Sequence, residues 1–179
     1  RKMKKIFNKY DIPILMSLIL LPFLSIVCIP YYVYINGIVW QEIVMLLIGW
    51  FLTGTGITVG YHRLFAHKTF KTYSVIEWFY MILGSAALQN TIINWCSDHR
   101  RHHKKLDTEE DPYSITKGFI HAHIGWVVKK SLRTIENISD LEKKSSVKFQ
   151  KKYYWFIAIT LSFIFPTLLG TLYGRPFGG

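Results

Sequence analysis

His62-Arg63-Leu64-Phe65-Ala66-His67 and His99-Arg100-Arg101-His102-His103 are the two segments on which the reading of this chain turns. All seven histidines lie between His62 and His123, and five of them fall in these two clusters. Neutral imidazole is the commonest metal ligand among side chains, and it suits iron, zinc, copper and nickel. Each cluster adjoins a long apolar run, so the pattern reads as a metal site at a membrane face.

The composition around the clusters agrees. Half of the 179 residues are hydrophobic and the mean hydropathy is positive, which is a membrane-protein balance rather than a disordered or collagen-like one. The net charge of +11 does not point to nucleic acid, because the basic residues flank apolar spans and read as topology signals. Cys28 and Cys96 form no CxxC pair, so neither a zinc ribbon nor a disulfide framework is indicated.

Residues 12–35 are almost uncharged and rich in Leu and Ile, enough to cross the roughly 30 Å hydrocarbon core. Pro22 and Pro30 are expected to bend that span. Asn36-Gly37 reads as a turn into a second span at 39–59, where Gly49, Gly54, Gly56 and Gly60 provide small faces for close packing. A third span is expected at 153–172, with Tyr153, Tyr154, Trp155 and Tyr173 as interfacial aromatics. Residues 74–93 are apolar but carry Glu77, Gln89 and Asn90; a crossing there would put the two His clusters on opposite faces, so an interfacial helix is preferred. Residues 129–152 read as a charged surface helix. The class is therefore an all-α, multi-pass membrane protein in which a His-rich helical cap over about 61–152 sits on the spans.

Lys and Arg number 5 before the first span, 16 between Arg63 and Lys152, and 1 after the last span. The positive-inside rule then places the N-terminus and the cap in the cytoplasm. The Asn137-Ile138-Ser139 sequon is a chance match on that side.

In a helix, His99, His102 and His103 at i, i+3 and i+4 share one face. His62 and His67, five apart, would converge only if the second span ends or unwinds between them. Five imidazoles exceed one tetrahedral zinc shell, so two metals fit better, redox-active iron first and zinc second. His121 and His123 suit structural or outer-sphere roles. An acidic loop at Asp107, Glu109, Glu110 and Asp111 is most simply the counter-charge to Arg100, Arg101, Lys104 and Lys105. Trp78, Trp95 and Trp126 read as packing or interfacial residues.

The segments Gly60 to His67, Trp95 to His103, Asp107 to Ser114 and His123 to Trp126 resemble membrane fatty-acid desaturases of the acyl-CoA delta-9 type, especially bacterial members. The resemblance implies a four-span fold with a cytoplasmic cap and a di-iron centre. With dioxygen and two electrons, that centre would introduce a cis double bond into a long acyl chain. It implies that His62, His67, His99, His102 and His103 are iron ligands, and that Asn90, Trp95 and Asp98 lie near the acyl chain or its head group. The implied partners are a long-chain acyl thioester or acyl lipid, membrane lipid, and an electron donor such as cytochrome b5 or a ferredoxin. Two departures stand out. No third HxxHH cluster follows His123, so the chain reads as one desaturase domain over 1–179, incomplete at its C-terminus and inactive alone. Ser97 occupies a position where animal enzymes carry Arg, which leaves the acyl carrier open.

A His-rich hydroxylase is the nearest competing reading, and a catalytically degenerate protein another. A metal transporter would place ionisable groups inside its spans, and only Glu42, near an end, does so.

Overall fold

A computed structural model describes residues 10–129 and 135–178; the basic start at 1–9 and the charges at Lys130 and Arg133 lie outside them. Among the described residues the protein is helical, without a named strand. Helix α1 is Ile12–Asn36, α2 is Trp40–Thr55, and a π-helix continues α2 over Gly56–Ala66. Helix α3 is Ser74–Ala86, α4 is Ile92–Lys104, α5 is Ser145–Ile159 and α6 is Phe165–Thr171, the last two joined by a π turn at Thr160–Ile164. Three helices are long and apolar enough to cross a membrane: Ile14–Asn36, Trp40–Ala66 and Ser145–Thr171. This is a membrane protein.

The chain divides into two compact units. One holds the described residues of 1–38 and 101–134. Its α1 begins at an Asp11 cap whose carboxylate accepts from the Ile14 N–H at 3.3 Å, and the Asp11 N–H donates to Val128 O at 2.8 Å. Helix α1 runs through Pro22 and Pro30 and stops where Gly37 turns to φ 66°. Its apolar side chains, Ile19, Phe23, Ile26 and Ile29 among them, are exposed, as a lipid-facing span requires.

The other unit holds 39–100 and the described residues of 135–179. Its core is Tyr61, Phe65, Met81, Ile92, Cys96, Leu141 and Val147 with their neighbours. Helix α3 packs against both the π-helix and α5. The approach to the π-helix is backbone-close: a Cβ on Gly56 would stand 2.5 Å from Gly84 N, and one on Gly84 would stand 2.2 Å from the Tyr61 ring. Gly49 and Gly54, by contrast, face open space. A buried polar node crosses this unit. The Gln150 side-chain oxygen accepts from the Ile92 N–H at 2.9 Å, and its NH2 donates to Tyr61 OH and Ser85 Oγ. Satisfied on all sides, such a node fixes which faces meet.

Two expectations change. The second span does not unwind between His62 and His67; it widens into a π-helix that runs to Ala66. Residues 135–144 form turns rather than a surface helix, and the last helix starts at Ser145. The expected boundary at Tyr153 survives as a break in helical geometry (φ −112°, ψ 16°) between the Lys-rich and the apolar parts of α5. Helix α3 is only 13 residues long, about 20 Å at 1.5 Å per residue, too short to cross. Left-handed Leu88 and Asn90 turn the chain back into α4.

Candidate metal centre

The π-helix is what brings His62 and His67 together. Its hydrogen bonds run i to i+5, so the fifth residue on stacks beneath the first, as the fourth does in an α-helix. The His67 N–H donates to His62 O at 3.0 Å, and the two rings stand edge to face with centroids 4.6 Å apart. His99 enters from α4, with ring centroids 4.6 Å from His62 and 5.0 Å from His67 and nearly orthogonal planes. Nε2 of His67 and Nε2 of His99 face each other at 2.9 Å. One ligand nitrogen from each of the three residues falls within a 4.8 Å circle. Two imidazole nitrogens can face each other at such a distance only around a shared proton or a cation. A half-exposed, all-nitrogen set of this kind fits a first-row transition metal.

Trp95 backs the cluster. Its indole stacks on His99 at 4.8 Å and meets His62 edge-on at 6.2 Å, while its Nε1 donates to Gln89 Oε1 at 3.3 Å. Asn90 lies in the turn between α3 and α4. Its N–H donates to Tyr154 OH at 2.8 Å and its Oδ1 accepts from Asn94 Nδ2 at 2.9 Å. Asp98 is half-buried on α4. Ser97 is buried and accepts from the Glu136 N–H at 2.8 Å.

His102 and His103 follow on α4, at i+3 and i+4 from His99. His102 Nδ1 donates to Asp111 Oδ1 at 2.8 Å, and Tyr113 stacks on the same ring at 4.1 Å. This leaves His102 Nε2 as the outward lone pair, the carboxylate–histidine arrangement typical of metal sites. Asp111 is wholly buried. Burial opposes its ionisation, but the bonds from His102 and from the Asp107 and Tyr113 N–H groups prevail and hold its carboxyl below the ordinary range. His123 is exposed and stacks on Phe119. His121 is buried; its Nε2 donates to Pro112 O and its Nδ1 accepts from Lys129 Nζ, both at 3.1 Å. Burial, then the Lys129 charge, lowers its pKa.

Several of these roles were not legible beforehand. Asp111 read as one charge of an acidic loop, and only its burial beneath His102 sets it apart. Gln150 sits between lysines and read as one more surface residue. Arg100 read as balanced by the acidic loop, whereas its carboxylate partner is Asp140.

Residues 38–179 match the fatty acid desaturase family. The chain is 40% identical over 136 residues to the delta(9)-fatty-acid desaturase fat-6 of Caenorhabditis elegans, covering 73% of this chain and 40% of that protein. It is 38% identical over 143 residues to a probable acyl-CoA desaturase of Schizosaccharomyces pombe, covering 78% and 30%. It is 39% identical over 137 residues to an acyl-CoA delta(11) desaturase of Trichoplusia ni, covering 73% and 39%. The chain thus spans less than half the length of these relatives. With that match running through both histidine clusters and the helices that carry them, the chain belongs to the fatty acid desaturase family.

Proposed function

We propose that the protein is an oxygen-dependent di-iron desaturase that introduces a cis double bond, at carbon 9, into a long-chain fatty acyl group. The observation that carries this reading is the convergence of His62, His67 and His99 at the end of an apolar span. In the proposed centre His62, His67, His99, His102 and His103 hold iron. Iron with dioxygen supplies the oxidising power that an unactivated C–H bond demands, which redox-inert zinc does not.

The chain's own residues do the rest. Asp111 keeps the His102 proton on Nδ1 and so presents Nε2. Trp95 holds the plane of His99. A cavity of about 320 Å³, lined by Trp50, Gly54, Ile57, Thr58, Ala87 and Gln89, opens beside the π-helix and suits an apolar chain. Asn90, Trp95 and Asp98 are the proposed substrate contacts, and Gln89 links the cavity to Trp95. His123 is the proposed outer support. The substrate is an acyl thioester or acyl lipid, and the relatives named for acyl-CoA favour the thioester. The basic residues of the 61–152 region favour a cytoplasmic location for this face and suit an acidic electron carrier such as cytochrome b5 or a ferredoxin.

The test is product analysis by gas chromatography and mass spectrometry after expression of the full-length protein. His99→Ala and His102→Ala are expected to abolish the alkene while the protein still fractionates with membranes. Undiminished alkene in either variant overturns the metal assignment, and a hydroxylated product without alkene assigns the chain to hydroxylation instead.

A further inference from the structure

The end of the π-helix poses a hydrogen-bonding problem. A helix with i to i+5 bonding leaves its last carbonyls without donors of its own, and here those carbonyls lie between the two ligand-bearing histidines. Local donors answer part of the need: His67 N bonds His62 O, and Thr69 N bonds Arg63 O. Phe65 O and Ala66 O are answered from another helix. Arg100, the residue after His99, donates from Nη2 to Phe65 O at 2.8 Å and from Nε to Ala66 O at 2.9 Å.

The remaining face of the same guanidinium is also occupied. Nη1 donates to Asn137 O at 2.6 Å and to Asp140 Oδ1 at 2.7 Å, and Nη2 donates to Asp140 Oδ2 at 3.1 Å. Asp140 also pairs with Lys68 Nζ at 2.7 Å, just after His67. Burial opposes ionisation of Asp140, but Arg100 and Lys68 keep its carboxyl far below the ordinary range. The Arg100 side chain is only 11% exposed. The bonds to Phe65 O, Ala66 O and Asp140 are therefore part-buried, where water competes less, and a rigid planar fork serves several acceptors at once.

We propose that Arg100 is a positioning residue for the metal centre: its guanidinium locks the end of the π-helix to α4 and so sets the spacing between His62/His67 and His99. The inference rests on the proposed metal role of those histidines. It adds that the wide helical turn is held from outside, by a residue that touches no ligand nitrogen. A lysine keeps the charge, but a single ammonium cannot serve Phe65 O, Ala66 O, Asn137 O and Asp140 together.

The experiment titrates Co2+ into metal-free, detergent-solubilised full-length protein and follows the visible d–d absorption. Arg100→Lys and Arg100→Gln are expected to weaken Co2+ binding about 10–100-fold, the usual effect of losing an outer-sphere support, and to change the band shape. Lys144→Ala, which breaks the Lys144–Glu77 pair elsewhere in the same unit, serves as the stability control. It is expected to lower the melting temperature and leave Co2+ affinity unchanged. Arg100→Lys gives the answer even if Arg100→Gln fails to fold. Wild-type affinity and an unaltered spectrum in Arg100→Lys overturn the positioning role while the metal reading stands. Absence of Co2+ binding in the wild type overturns both.

Discussion

Cys96 lies three residues before His99, wholly buried, with its thiol directed to Tyr61 O at 3.6 Å. Burial pushes its pKa up to about 12, against a smaller opposing pull from Arg100. The folded protein therefore holds the thiol proton more tightly than the unfolded chain does. This contribution to stability is complete below the ordinary thiol range and is lost as the pH rises through it towards 12. Iodoacetamide at pH 8 is expected to spare Cys96 in the folded protein and to modify it fully in denaturant, as read by peptide mass spectrometry. Rapid alkylation of the native protein would show that this segment opens. Asp111 illustrates the same point for a polar group. Its role depends on the 0% exposure it reaches beneath His102, not on its membership of an acidic run.

The π-helix owes its position to three glycines. Gly56 and Gly60 let it approach α3, and Gly84 on α3 receives the Tyr61 ring. Gly56→Leu is expected to cost about 1–3 kcal/mol through overpacking, read as a lower melting temperature, whereas Gly49→Leu, facing open space, should change little. Equal effects at the two positions would remove the special role of this contact. These elements also show what the residue pattern reveals. The three spans were legible because 20-residue apolar runs have few other uses, and the His clusters because imidazoles rarely gather so closely. The widened turn was not. Nothing in Gly56 to Ala66 distinguishes i to i+5 from i to i+4 bonding, and the five-residue spacing of His62 and His67 makes sense only once the coil is known. The surface-helix expectation for 135–144 failed for a related reason. Charge along that stretch is equally compatible with turns, and Asn137, with φ 53°, ends any helical path there.

At the scale of the molecule, the proposed metal joins elements that separate in sequence, so removing it should loosen the fold. A ligand that binds only the folded state adds about 2.7 kcal/mol when present at a hundredfold excess over its dissociation constant. Stripping the protein with a chelator is expected to lower its melting temperature, and restoring Fe2+ under anaerobic conditions to return it. An unchanged melt would place the ion outside the folding balance.

The wide coil at His62 also bears on how such a chain tolerates changes in length. A π turn is an α turn with one surplus residue folded into it. Excision of exposed Arg63 would bring the two imidazoles to the four-residue interval of an ordinary coil, still pointing the same way. Excision of exposed Leu46, far back in the span, has no such slack to draw on and would swing everything beyond it by about 100°.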